Sequence, residues 1–128
     1  MSRTLVSTLF LMTVLNTGDA AAVTPEDFEV KTTQNLLNLC AVSAKDPLAK
    51  EAIQMCQGYL IGAYDYHIAE NSGPGGTPLV CLPKPEPSRD EATALFVAWV
   101  KAHPQYLKES PVETEFRFLS EKWPCKKK

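Results

Sequence analysis

Four cysteines set the tightest limit on this chain. Cys40, Cys56, Cys81 and Cys125 are separated by 16, 25 and 44 residues, so no two are close in sequence. Structural zinc sites usually bring their thiolates in local pairs such as C-x-x-C, and His67 and His103 are not spaced as ligands either; no metal is expected. An even number of cysteines in a short exported chain reads instead as two disulfides.

Export is itself a reading of the first residues. Arg3 supplies a positive start, and Leu5 to Leu15 is an apolar run broken only by Ser and Thr. Ala20-Ala21-Ala22 then offers a small-residue cleavage site before Val23. Residues 1–22 are therefore expected to be a signal peptide, leaving residues 23–128 as a single domain in the periplasm. The apolar run is too short for a membrane span of roughly 20 residues, so no membrane insertion is expected after cleavage. Arg3 and Asp19 leave together with the leader, so the formal charge stays at −2. That balance excludes the broad basic field that nucleic-acid binding needs, and Lys126-Lys127-Lys128 reads as a solvated end.

The exported part, about 106 residues, can hold one modest core. Its pattern is helical throughout. Thr24 to Thr33 is polar, and a short helix follows around Leu36, Leu37, Leu39 and Cys40. The longest pattern runs from Asp46 to Asn71. Ala49, Ile53, Cys56, Leu60, Ala63 and His67 recur at four and three residues, one face of about five turns. Asp46 is the expected N-cap, with Pro47 at the first helical position. Gly58 and Gly62 lie one turn apart inside it, which suggests that another backbone packs closely there. This helix is expected to be the central post.

Asn71 to Pro78 is a loop by composition, and its Gly73-Pro74-Gly75-Gly76 run reads as flexible. Leu79 to Leu82 is a brief extended piece, and Pro83, Pro85 and Pro87 carry the chain across the surface. Two more helices follow, each announced by a capping box, Ser88-x-x-Glu91 and Ser110-x-x-Glu113. The first should bury Ala92, Leu95, Phe96, Trp99 and Val100 and stop near His103; the second should bury Val112, Phe116, Leu119 and Trp123. The expected fold is all-α, a small four-helix domain with two disulfides. Of the three pairings that four cysteines allow, Cys40–Cys56 with Cys81–Cys125 is favoured. The first pair lies on the apolar faces of consecutive helices, which leaves the second to tie the loop to the chain end.

Catalytic signals are absent. No serine sits in a nucleophile elbow, no glycine-rich turn leads into a helix to cradle phosphate, and paired cysteines leave no thiol nucleophile. Neither an enzyme nor a cofactor is expected. Asp65 with Glu70, and Glu113 with Glu115, read as solvated acids, and Asp65 is notable for standing between Tyr64 and Tyr66. His67 reads as a core-edge histidine with its hydrogen bonds satisfied.

The ordered set Leu36-Leu37-x-x-Cys40, Cys56-x-Gly58-Tyr59-x-x-Gly62-x-x-Asp65, Cys81-x-Pro83, His103-Pro104 and Trp123-Pro124-Cys125 resembles the Rap/Tai family of type VI secretion immunity proteins. The likeness runs over about residues 33–125. Gln105 departs from the glutamate common in the family after His-Pro, and bulky Phe118 departs from a small residue. The resemblance implies a small periplasmic, disulfide-bonded helical protein that binds and blocks an injected peptidoglycan amidase. It leaves a homodimer open. Such an inhibitor needs a rigid surface, and Tyr64, Asp65 and Tyr66 with Ser72 and Thr77 of the following loop are the expected contacts. The reading from a different class is a periplasmic structural or acid-stress chaperone-like protein, which would expose apolar surface as carboxylates protonate.

Overall fold

The structure, a computed structural model, describes residues 21–126. The expected leader, residues 1–22, falls almost wholly outside them. Four α-helices make up the fold: α1 (Thr33–Cys40), α2 (Ala49–Glu70), α3 (Arg89–Ala102) and α4 (Pro111–Lys122). Short 3-10 turns occupy Pro25–Glu29 and Pro104–Tyr106. The described residues form no strand beyond a single antiparallel bridge between Val80 and Pro124. Both expected disulfides are formed, Cys40–Cys56 and Cys81–Cys125, with Cα separations of 5.1 and 4.9 Å.

The post of the fold is α1, not α2. Thr33, Leu36, Leu37, Leu39 and Cys40 are all buried in its eight residues, and it touches each of the other three helices and the N-terminal turn. Short as it is, its first turn is firmly anchored. Thr32 and Asn35 form a capping box, and the free N–H groups of Thr33 and Gln34 donate to the carbonyls of Glu109 and Leu107. The Thr33 hydroxyl is hydrogen-bonded at 2.7 Å to that of Thr114 on α4, so two buried polar groups satisfy each other.

By contrast α2, with 22 residues, fully buries only Ala52 and Cys56. Its six-residue stripe does face the core, but beyond Cys56 every stripe position is only half-buried. Gly58 and Gly62 are exposed, and a Cβ built on either would meet nothing within 4 Å. No backbone packs there, contrary to the expectation from their spacing. The helix also starts later than Asp46 and Pro47 suggest. Asp46 turns its carboxylate to the backbone N–H groups of Leu48 and Val23, and Leu48 becomes the N-cap. One side chain thereby ends a turn and fixes the N-terminal segment.

That segment is not merely polar lead-in. Val23, Asp27 and Val30 are buried, and Val30 adopts a left-handed conformation at φ 47° to close the turn. α3 follows its pattern in part: the Ser88–Glu91 capping box is formed in both directions, and Phe96 and Val100 are fully buried with Thr93 beside them, whereas Ala92, Leu95 and Trp99 are only half-buried. α4 does not. The Ser110 side chain caps nothing, and Val112 is exposed. The buried face is Pro111, Thr114, Glu115, Phe118 and Leu119, rotated from the expected Val112–Phe116–Leu119–Trp123 line. Phe118 supplies the reason. It sits among Phe96, Trp99 and Trp123, with ring centroids 5.8, 6.2 and 5.8 Å away, and so sets which side of α4 turns inward.

Candidate functional site

Rotating α4 carries a carboxyl into the interior. Glu115, which the sequence places among solvated acids, is 1% exposed, and its Oε2 has no hydrogen-bond partner. Burial pushes its pKa up to about 9, so the group is a neutral acid at pH 7. It lines a cleft of about 240 Å³ bounded by α2, by the Leu82–Pro87 segment, by α3 and by α4. The buried walls include Phe96, Phe118 and Leu119, while Asp65, Glu86 and Arg89 are exposed at the rim. Near one end, the Gln57 amide of α2 donates to the Asp90 carboxylate in the first turn of α3 at 2.8 Å.

The electrostatics of this cleft are acidic overall. Tyr64, half-buried in the wall, has its pKa raised by burial and then by the charges of Glu86 and Asp65. Tyr59 is raised by burial and by Glu115, against a hydrogen bond with the Val112 backbone. Tyr64 and Asp65, two of the residues singled out by sequence, thus share the cleft. Tyr66 does not: it is 67% exposed, and hydrogen bonding to Glu70 raises its phenol pKa.

Ser72 and Thr77 belong to a second region, the loop beyond α2. Its Asn71 to Pro78 connection is tied down. The Asn71 carboxamide donates to the His67 carbonyl at 2.8 Å and accepts the Thr77 N–H at 3.1 Å. The His67 Nε2 accepts the Leu79 N–H at 3.1 Å, and its ring packs against Phe116 at 5.0 Å. His67 is therefore the satisfied core-edge residue its position implies. Gly76 is required here: a Cβ at that position would lie 2.0 Å from the Asn71 carbonyl oxygen. Gly75, at φ 83°, provides the reversal. Around this end, Tyr66, Ile68 and Leu79 leave large apolar surface exposed.

The sequence did not disclose Glu115. The available signal was its spacing, three and four residues before Phe118 and Leu119, which places it on their side of any helix. No group of three or more His, Cys, Asp or Glu side chains among the described residues could hold a metal ion.

The family profile of Rap1a immunity proteins aligns with residues 32–125, from the N-cap of α1 to the last cysteine. No curated protein and no solved structure matches the chain. The profile spans all four helices and both disulfides, and it covers most of the chain. The chain belongs to the Rap1a immunity protein family.

Proposed function

We propose that this is a periplasmic immunity protein that binds a type VI secreted peptidoglycan amidase and blocks it, with the end of α2 and the Asn71–Pro78 loop as the contact. Membership of an immunity family implies a protein effector as partner. The observation that carries the contact is the contrast along α2. Its first turns are fastened to α1 through Cys56, whereas residues 57–70 have no fully buried side chain. That half projects a loop locked by Asn71 and His67 and flanked by exposed Tyr66 and Leu79. A pre-ordered loop loses little entropy on docking, and exposed tyrosine adds contact area with few rotors. The protein acts by occupying a surface and performs no chemistry of its own.

Inhibition of the amidase is the test. Ser72→Trp and Thr77→Trp change exposed loop positions and should leave the fold intact. Each is expected to abolish inhibition in a peptidoglycan-release assay. Full inhibition by both variants, with the far-ultraviolet spectrum unchanged, would sink the loop assignment.

A further inference from the structure

Glu115 poses a question that the loop does not answer. A buried carboxyl oxygen without a donor is costly, on the order of 1–3 kcal/mol, and such groups are rare unless something completes them. Here the group lines an open cleft rather than a sealed cavity, although Oε2 itself is shielded from solvent, so an entering group must displace the side chains that cover it. We propose that this cleft receives a lysine side chain of the protein partner, its ammonium held by the Glu115 carboxylate.

Three observations make the fit. The walls supply apolar surface from Leu60, Ile61, Leu82 and Phe96, suited to the methylene stem of lysine. The floor supplies one acceptor with no competing donor among the described residues, and an ammonium offers three N–H groups. The rim carries Asp65 from α2 and Glu86 from the proline-rich segment against the single cation Arg89 of α3, so a positive group is drawn in. Tyr59 and Tyr64, the other titratable groups near the carboxyl and in the wall, are neutral phenols with raised pKa values. When the ammonium enters, the Glu115 O–H bond breaks, the proton leaves to solvent, and an ion pair replaces a lone neutral acid. No covalent bond forms. Because ionised Glu115 is the binding form, affinity should rise with pH until the carboxyl has titrated, at about pH 9.

The identity of the partner rests on the family reading above, but the cleft can be tested without any effector. The mature protein would be titrated with a capped Gly-Lys-Gly peptide, its Nζ-acetylated form and n-butylammonium, following amide chemical shifts. The lysine peptide should bind with a dissociation constant on the order of millimolar, about tenfold tighter per pH unit between neutrality and pH 8. The acetylated peptide should not bind. Glu115→Gln, which keeps the shape of the side chain, should weaken the lysine peptide at least about tenfold at pH 8. Shifts that are equal in Glu115→Gln, or absent from the cleft residues, would overturn the proposal and leave Oε2 to an ordered water. Binding of n-butylammonium without the peptide would overturn the assignment to a protein side chain. Failure of the loop variants to affect amidase inhibition bears on the function alone, and leaves these titrations unchanged.

Discussion

Two acids are buried in this domain, and they live in opposite surroundings. Asp27, in the N-terminal turn, is ringed by donors: the Thr24 N–H at 2.9 Å, the Asn38 amide at 2.9 Å and the Asn35 amide at 3.2 Å. Burial pushes its pKa up, but the hydrogen bonds from Thr24, Asn38 and Asn35 outweigh it and hold the carboxyl below its ordinary value. Glu115 has burial alone, and is pushed the other way. The difference is one of partners as well as of depth, Glu115 being the more strongly desolvated of the two. Where the chain brings donors, a buried acid is a structural hub. Where it brings none, the acid is held neutral in a cleft that something else can enter.

The largest effect should come from breaking the hub. Asp27→Ala leaves the Thr24 N–H and two asparagine amides without their acceptor, at a cost of about 3 kcal/mol at pH 7, measured by urea denaturation. Asp27 is depressed, so its contribution is present above its unfolded value near 3.8 and is lost as pH falls through the folded one. An acid titration should therefore show the wild type converging on Asp27→Ala. Parallel curves would show that the contacts, rather than the charge, carry the effect.

Glu115→Gln should do the reverse. The folded group binds its proton more tightly than the unfolded one, so its contribution is fully present below pH 4.5 and is lost as pH rises toward about 9. Glutamine has no such linkage, though its amide is still short of partners. A gain in stability is expected at pH 8, shrinking toward zero below pH 4.5. A variant less stable than wild type at pH 8 would mean that the carboxylate is already paired.

The smallest effects should separate two serines with the same local sequence pattern. Ser88 accepts the Glu91 N–H, and Ser88→Ala should cost about 1 kcal/mol. Ser110 caps nothing, and Ser110→Ala should change thermal stability by less than about 0.5 kcal/mol. Equal losses would restore the second box.

The same serines show how far the sequence could be read. Four residues spell a capping box, but whether it closes depends on how the chain arrives. α1 and α3 were legible because their apolar residues are strong and unopposed by an alternative face. α4 carries two stripes offset by about one residue, and only the volume of Phe118 among Phe96, Trp99 and Trp123 decides between them. Glu115 was hidden by the rule that acids on helices are solvated. Gly58 and Gly62 misled in the opposite sense, since a one-turn glycine spacing describes both a packed face and a bare one. The disulfides were legible, because Cys40–Cys56 needed only that neighbouring helices touch, and Cys81–Cys125 then followed by elimination. Of the site, Tyr64 and Asp65 fell in the cleft, whereas Tyr66, two residues on from Tyr64 and about 200° round the helix, faces away, and Ser72 and Thr77 lie in the loop beyond the helix end.

The pairing of first cysteine with second, and third with fourth, bears on how the molecule is made. If the chain is exported as proposed, threaded through a pore N-terminus first, it presents Cys40 and then Cys56, and their native link can close before Cys81 appears. Cys81 must then wait for Cys125, 44 residues further on, with Cys40 and Cys56 already paired. A dithiol oxidase working in order of emergence would produce the native bonds at the first attempt, so maturation should not depend on a disulfide isomerase.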